Sequence, residues 1–223
     1  EEQDEFALSS HQKAAKAQDE GWFDEEIISV VIPGTRNQPE EVFKKDEPVR
    51  RDTSLEKLAK LKPAFKEGGS VTAGNSCGLS DGASSLILMS RDKAKALGLK
   101  SLFSLVSYSS VAVENAYMGE GPAVAIPKAL AKVGMDLKDM DLIEVNEAFA
   151  AQILANERVL SWDRCKLNVH GGAIALGHPT GESGVRILVT LYYALKRMDK
   201  ELGIASICGG TGVACAMIIK REN

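Results

Sequence analysis

Hydrophobic and polar positions along the chain follow two periods, one typical of helices and one typical of strands. Apolar residues at helical spacing, ended by glycine or proline, predict helices. Short apolar runs between turn residues predict strands. The predicted helices cover residues 1–20, 53–62, 91–97, 122–133, 147–160 and 180–198, the last being the longest. The predicted strands cover residues 26–32, 83–89, 102–113, 141–146, 204–208 and 213–219, and the run 173–176 is also strand-like.

Strands and helices alternate regularly from about residue 79 onwards. Such alternation predicts an α/β domain with a layered, mixed sheet. Residues 34–52 are polar and charged, which predicts a surface excursion. Thr53 and Glu56 have the spacing of a capping box for a short helix. The first 78 residues therefore differ in organisation from residues 79–223.

The helix predicted at residues 180–198 is apolar nearly all round. Nine of the eleven residues from Val185 to Leu195 are apolar or aromatic. A surface helix carries a single apolar stripe, so this helix must be covered on a second side as well. We expect that cover to come from a missing half of the protein or from a partner.

Composition narrows the class of protein. The 223 residues include 44% hydrophobic and 26% charged residues, as in a typical globular protein. A net charge of −4 without a basic run makes nucleic acid an unexpected partner, and no apolar run is long enough to span a membrane. The four cysteines form no CxxC pair, which favours reduced thiols in a cytoplasmic protein without a zinc site. The acidic start without methionine predicts a part of a longer or processed polypeptide.

The candidate chemistry begins with His178, which lies in the segment GGAIALGHPTGESG at residues 171–184. The glycines and the proline can hold one imidazole rigidly on a loop that precedes a helix. A helix N-terminus disfavours imidazolium, so the ring can accept a proton as a general base. The alternative is a loop histidine whose ring is bonded only to backbone groups.

Two further segments carry candidate side chains. Cys208 ends an apolar strand and begins a glycine turn, whose backbone N–H groups would lower the pKa of the thiol and bind an anion. The alternative is a buried, inert cysteine. Asn146 lies at a strand-to-helix junction, the sheet edge at which α/β folds place ligands, although it could simply cap the helix.

Together these segments resemble the thiolase family, which includes the acetyl-CoA acetyltransferases and the 3-ketoacyl-CoA thiolases. The resemblance covers essentially the whole chain. It rests on five segments, namely residues 68–89, 117–122, 146–150, 171–184 and 208–212. It implies a thiolase-like layered fold with a mixed five-stranded sheet, flanking helices and part of a loop domain. Residues 1–78 would then be a partial loop domain that covers coenzyme A, and residues 79–223 the C-terminal domain.

The resemblance also implies roles for residues. The family performs Claisen condensation of two acyl-CoA molecules, or the reverse thiolysis, through an acyl-cysteine. His178 matches the histidine that activates the nucleophile, and it shares an oxyanion hole with Asn146. Cys208 matches the cysteine that exchanges the α-proton, and the Gly210 N–H matches a second oxyanion hole.

The nucleophilic cysteine of the family is absent from the chain, so we expect these 223 residues alone to be inactive. The resemblance implies acyl-CoA substrates without a permanently bound cofactor or a metal. It also implies a partner that carries the nucleophile, as a separate chain or a missing segment, and a homodimer or tetramer of the complete unit. The coenzyme A contacts would be Ala73, Cys77, Leu79, Met118 and Arg50.

Two of the expected coenzyme A contacts, Cys77 and Arg50, have alternative interpretations. Cys77 stands where the family commonly has serine, and Arg50, like Lys57, could be plain surface charge.

Two other functions stay open. A condensing enzyme of the ketoacyl-synthase type shares the fold, but Cys208 in its glycine turn argues against it. A non-catalytic coenzyme A-binding or scaffolding subunit is the remaining alternative.

Overall fold

The computed structural model describes residues 1–222 as seven α-helices, six strands and three 3₁₀ turns. The helices are α1 (Glu2–Asp19), α2 (Leu55–Leu58), α3 (Arg91–Ala96), α4 (Gly121–Ala131), α5 (Ala150–Leu160), α6 (Ala173–Leu176) and α7 (Ser183–Arg197). The strands are β1 (Val30–Ile32), β2 (Glu41–Phe43), β3 (Phe103–Ala112), β4 (Leu142–Val145), β5 (Leu202–Cys208) and β6 (Val213–Arg221). The 3₁₀ turns are Asn115–Glu120, Leu137–Asp139 and Gly210–Gly212.

A four-stranded mixed sheet in the order β3-β6-β5-β4 forms the centre of the fold. Strands β4 and β5 run parallel, whereas β6 pairs antiparallel with both β5 and β3. Alternate residues of a strand point to opposite faces of the sheet, and helices cover both faces. Ile204 and Ile218 pack on the side of α4, and Ala205 and Ile219 pack on the side of α7. The predicted α/β architecture with a mixed sheet and flanking helices is confirmed.

The sheet has four strands among the described residues rather than the expected five. Residues 83–89, predicted as a strand, run without a ladder partner. Their side chains still alternate in burial over part of the run, since Leu86 packs beneath α7 while Ile87 is 79% exposed. The segment therefore has the pattern of a strand but lacks a neighbouring strand among residues 1–222.

Three details of the predicted elements are corrected. Residues 173–176 form the helical turn α6 and not a strand, because all four apolar side chains are buried and a run this short has no period to distinguish the two. The longest helix is α1, since α7 begins only at Ser183, after a turn through Pro179. Ser54, not Thr53, caps α2 by accepting the Lys57 N–H.

Helix α7 is covered on both sides by residues of this chain. No residue from 185 to 195 is exposed. Gly203 of β5 admits the Leu191 side chain, since a Cβ at Gly203 would lie 2.7 Å from Leu191 Cδ1. On the other side, Thr190 contacts Glu26 and the Arg197 guanidinium lies over the Trp22 ring. Part of the cover that we expected from a partner therefore comes from residues 22–26 and Leu86.

The N-terminal helix α1 shares its core with the sheet. Phe6 and Ala7 of α1 and Leu58 of α2 belong to the same buried cluster as Ile126 of α4 and Ile218 of β6. Residues early in the sequence thus belong to the same core as the sheet layer, which α1 reaches through α5 and α6. Among residues 1–222, no helix combines the length and the apolar character needed to cross a membrane.

Candidate active site

His178 lies in the turn between α6 and α7, and the backbone around it is tightly constrained. Gly177 adopts a φ of +93°, which favours glycine, and a Cβ there would collide with the Ser80 side chain. The His178 N–H donates to the Gly78 carbonyl at 3.1 Å. The glycines of the segment therefore fix the imidazole against residues 78–80, as the sequence predicts for a rigid loop.

The hydrogen bonds of the imidazole define its tautomer. Ser183 Oγ donates to the Pro179 carbonyl at 2.9 Å and lies 2.7 Å from His178 Nδ1. Since the Ser183 hydroxyl has only one hydrogen, Oγ accepts from Nδ1–H. Asn146 Nδ2, which can only donate, lies 3.3 Å from His178 Nε2. Nε2 consequently carries the lone pair and can accept a proton.

The surroundings of His178 favour its neutral form. Burial lowers the pKa of His178, the Arg186 charge lowers this pKa further, and the Glu182 charge opposes both. The imidazole is therefore uncharged at neutral pH. A neutral ring whose Nε2 lone pair can accept a proton is the form that a general base requires.

Asn146 follows β4 directly, at the carboxyl end of the strand, and is fully buried. Its backbone N–H donates to the Ser206 carbonyl of β5 at 3.0 Å, so the residue extends the ladder and does not simply cap a helix. Asn146 Oδ1 is buried and has no hydrogen-bond partner within residues 1–222. A buried polar atom without a partner is costly, and it is common at sites that bind a ligand or a water.

Glu147, the next residue, is held in a buried network that no motif of the sequence indicates. Its carboxylate accepts from Ser10 Oγ at 2.6 Å, from Asn168 Nδ2 at 2.8 Å and from the Ile174 N–H at 3.2 Å. Gly172 packs directly on it, because a Cβ at Gly172 would lie 2.6 Å from Glu147 Oε1. The network ties β4, α1 and the segment that carries His178 together, and so fixes Asn146 relative to the imidazole.

Cys208 ends β5 and is 5% exposed. Burial raises the pKa of its thiol, outweighing a backbone hydrogen bond that lowers it, and Cys77 adds to the rise. The expected lowering of the pKa of Cys208 by the glycine turn is therefore wrong, since desolvation of the thiolate dominates. At neutral pH the group is a protonated thiol.

The glycine turn after Cys208 is sharply bent. Gly209 N–H donates to the Val213 carbonyl at 2.7 Å, and Thr211 adopts a φ of +69° that is unfavourable for a β-branched residue. Gly212, at a φ of +86°, leaves no room for a Cβ beside the Val113 carbonyl. Space above Gly210 is open, since a Cβ there would contact nothing within 4 Å. The turn can accommodate a ligand over the Gly210 backbone.

A cavity of about 360 Å³ reaches the His178 turn only through Gly78, which lines it and accepts the His178 N–H. Asn146, His178 and Cys208 are not among its lining residues. Of the predicted coenzyme A contacts, Arg50 and Ala73 line it, and Cys77 follows in sequence between two lining residues, Ser76 and Gly78. Leu79 and Met118 are not among the lining residues: Leu79 is 99% exposed, and Met118 packs against the main core. Lys57 also lines the cavity, where its ammonium pairs with Asp52 Oδ2 at 2.7 Å. With Glu47 and His11, the wall therefore carries cationic, anionic and polar groups.

The sequence indicates no function for His11, which lines the cavity. Its Nδ1 accepts the Arg50 N–H at 3.1 Å, and burial followed by the Arg50 charge lowers the pKa of His11 to about 4. Among residues 1–222, no three His, Cys, Asp or Glu side chains are grouped closely enough to hold a metal ion.

Ser183 and Glu182 were also overlooked, although both lie within the segment that the sequence singles out. Ser183 fixes the tautomer of His178, and Glu182 acts on the pKa of that residue. A buried serine in the first turn of an apolar helix, five residues after a histidine, was the available signal.

Fold and geometry define an α/β protein in which an amide follows β4, a neutral imidazole lies in the turn between α6 and α7, and a buried thiol ends β5. Comparison with protein families identifies it further. The model of the thiolase C-terminal domain matches residues 99–221, and the model of the thiolase N-terminal domain matches residues 1–92. The chain belongs to the thiolase family, which confirms the resemblance found in the sequence.

Relatives and solved structures agree with this assignment. The chain is 49% identical over 222 residues to an acetyl-CoA acetyltransferase of Cupriavidus necator and 51% identical over 222 residues to one of Pseudomonas aeruginosa, covering 100% of this chain and 56% of each relative. The acetyl-CoA acetyltransferase of Bacillus anthracis superposes with a TM-score of 0.96 at 52% identity, over 99% of this chain and 56% of that one. The structure of human mitochondrial 3-ketoacyl-CoA thiolase in complex with CoA superposes with a TM-score of 0.94 at 43% identity, over 99% of this chain and 54% of that one.

The chain thus spans about half the length of the curated relatives it matches. The match of residues 1–92 shows that part of the N-terminal domain is present. The expectation that this domain is missing therefore holds only in part.

Proposed function

We propose that the chain supplies part of the active site of a thiolase-type acyltransferase. The reaction is Claisen condensation of two acetyl-CoA molecules, or thiolysis of a 3-ketoacyl-CoA, through an acyl-cysteine whose sulfur lies outside these 223 residues. The observation that carries this proposal is the pair of Asn146 and His178, joined at 3.3 Å with the Nε2 lone pair unprotonated. This arrangement offers a base and a hydrogen-bond donor to the same small volume.

In this proposal His178 takes the proton from the nucleophilic thiol through Nε2. The resulting imidazolium is stabilised by Ser183 Oγ, which accepts from Nδ1–H at 2.7 Å. Asn146 Nδ2 and the protonated Nε2 then both point towards a developing oxyanion, either directly or through a water on Asn146. Because a buried ring is costly to charge, the imidazolium gives its proton back once the negative charge of the oxyanion is lost.

Cys208 acts on the α-carbon of the acyl group. Its raised pKa makes the thiol the resting form, so in thiolysis it gives its proton to the enolate. In condensation, the coenzyme A thiolate that leaves on acylation first takes the Cys208 proton, and the resulting Cys208 thiolate then takes the α-proton of the second acetyl group. The Gly210 N–H, two residues after Cys208, donates to the thioester oxygen and forms the second oxyanion hole.

The cavity of about 360 Å³ would hold part of a coenzyme A thioester. Arg50 and Lys57 on its wall suit the phosphates, and Ala73 and Cys77 the pantetheine arm. Leu79 and Met118 would contact the ligand only after the complete domain has formed. In this scheme residues 1–78 cover the ligand and residues 79–223 carry the catalytic side chains.

Completion of the site requires more protein than these residues. Leu79 is 99%, Ile87 79% and Leu88 59% exposed, and such exposed apolar side chains support a partner segment that bears the nucleophile. A homodimer or tetramer of the complete unit and a cytoplasmic location stay predictions.

The test is acyl transfer by the chain combined with the remaining half of a relative. We expect no acetoacetyl-CoA from the chain alone and measurable turnover from the combination. Cys208→Ala should lower turnover at least about 100-fold while acylation of the nucleophile, followed by mass, persists. Cys215→Ala, at an exposed cysteine, is the matched control. Unchanged turnover in Cys208→Ala would instead favour a scaffolding subunit.

A further inference from the structure

Residues 78–84 lie along the turn that carries His178. Gly78 accepts the His178 N–H at 3.1 Å, and Leu79 pairs with His178 in an isolated parallel bridge. Further along, a Cβ at Gly82 would lie 2.6 Å from Pro179 Cγ and 3.0 Å from Glu182 Oε1. The backbone of this segment therefore rests directly on residues 177–182.

Glu182 closes the far end of this contact. Its Oε2 accepts from Ser84 Oγ at 2.5 Å, and Ser84 Oγ also lies 3.2 Å from the Glu182 carbonyl. Glu182 precedes the first turn of α7, whose first residue, Ser183, holds the imidazole. One carboxylate thus joins the segment 78–84 to the start of α7.

Beyond the contacts of Gly78, Leu79 and Gly82, few interactions hold this part of the chain in place. Within residues 1–222, residues 80–89 make no backbone–backbone hydrogen bonds, and several of their apolar side chains are exposed. Leu86 is the one member of this run in the core beneath α7. A charge-assisted hydrogen bond is stronger than a neutral one, so the Ser84–Glu182 contact is a main attachment.

We propose that Glu182 is a positioning residue for His178. It seats the segment 78–84, which matches the N-terminal family domain, against the His178 turn in the C-terminal one, and so keeps Nε2 directed at Asn146. The catalytic consequence rests on the function proposed above, whereas the positioning itself is a property of this chain.

Electrostatics add a second, separable effect. The groups around the imidazole are Asn146, Ser183, the Arg186 cation and the Glu182 anion, with Asp46 facing both charges. Glu182 raises the pKa of His178 against burial and Arg186. Removing this anion should therefore lower the pKa of His178 further.

The test uses the chain itself, through hydrogen exchange of the His178 amide and ¹⁵N NMR of its imidazole. Ser84→Ala and Glu182→Ala should each speed exchange of that amide about tenfold, and the double variant no more than either alone. Both should reduce the Nδ1–H tautomer. Glu182→Gln, which can still accept from Ser84, should restore amide protection and the tautomer, yet lower the pKa of His178 because the anion is gone.

A second serine–glutamate pair provides the matched control. Ser104 donates to Glu222 at the edge of the sheet, and Ser104→Ala and Glu222→Ala should leave exchange of the His178 amide unchanged. Protection of the Ile204 amide in β5 shows in every variant that the core has folded. Wild-type protection of His178 in both Ser84→Ala and Glu182→Ala would overturn the proposal.

The same variants then distinguish this proposal from the function. In a reconstituted enzyme, Glu182→Ala should lower kcat about five- to tenfold with KM unchanged, and Glu182→Gln should recover most of it. An unchanged kcat in Glu182→Ala would overturn the catalytic part. If the wild-type assembly transfers no acyl group, the proposed function fails, but the exchange experiment still decides whether Glu182 positions His178.

Discussion

Gly172 is the position at which the smallest change should disturb the site most. A methyl group there would lie 2.6 Å from Glu147 Oε1 and 2.8 Å from Glu147 Cγ, whereas ordinary contacts begin at about 3.4 Å. The carboxylate cannot withdraw freely, because Ser10, Asn168 and the Ile174 N–H all donate to it. Gly172→Ala must therefore break at least one hydrogen bond to a buried anion.

Each such bond contributes about 1.5–3 kcal/mol, so Gly172→Ala should lower the free energy of unfolding by about 3 kcal/mol. For a chain of this size, the corresponding fall in Tm is about 6–12 °C. Urea unfolding followed by circular dichroism measures the first quantity, and a thermal scan the second. Loss of the Nδ1–H tautomer of His178 in NMR should accompany both, since Glu147 adjoins Asn146.

Gly184→Ala makes the same chemical change in the first turn of α7, where a Cβ would meet nothing within 4 Å. It should stabilise the chain by about 0.5–1 kcal/mol. In a double-mutant cycle, Gly172→Ala should cost almost nothing in a Glu147→Ala background, because the obstructing carboxylate is gone. If the free energy of unfolding of Gly172→Ala lies within about 0.5 kcal/mol of the wild-type value, Glu147 is not rigidly held.

Two further predictions concern other parts of the structure. Thr211→Gly should raise the free energy of unfolding by about 1 kcal/mol in urea, because Thr211 holds a φ of +69°, and a destabilised variant would contradict this. His11 binds its proton less tightly when folded, with a pKa of about 4 against an unfolded value of 6.5, so stability falls as pH drops from 6.5 to 4. The variant His11→Asn, which still accepts the Arg50 N–H, lacks this titration. Between pH 7 and pH 4 the free energy of unfolding of wild type should therefore fall by about 3 kcal/mol more than that of the variant, and equal pH profiles of unfolding free energy would contradict this.

The pattern of the sequence predicts the sheet layer well because β3, β5 and β6 are runs rich in apolar residues and bounded by glycine or polar turns. It fails at residues 173–176, where four buried apolar side chains look the same in a strand and in a helical turn. It also fails at residues 83–89, which have the composition of a strand, because pairing depends on a neighbouring strand and not on local sequence.

The candidate site is predictable only where a residue carries its own motif. Asn146, His178 and Cys208 stand next to glycines or at strand ends, and their positions can be read directly. Glu147 cannot, because its partners are Ser10 and Asn168, which are distant in sequence and unremarkable in type. The upward shift of the pKa of Cys208 likewise depends on burial by residues that only the fold brings together.

The core shared by α1 and the sheet bears on how this protein can be recombined with its relatives. The two family models meet between residues 92 and 99, which looks like a natural crossover point. Yet Ser10 on one side donates to Glu147 on the other, and Phe6 packs in the cluster of Ile126. A chimera joined at that point inherits half of a buried polar network from each parent. Its two halves should unfold together in one transition, and only parents that match at both ends of this network should yield a stable hybrid.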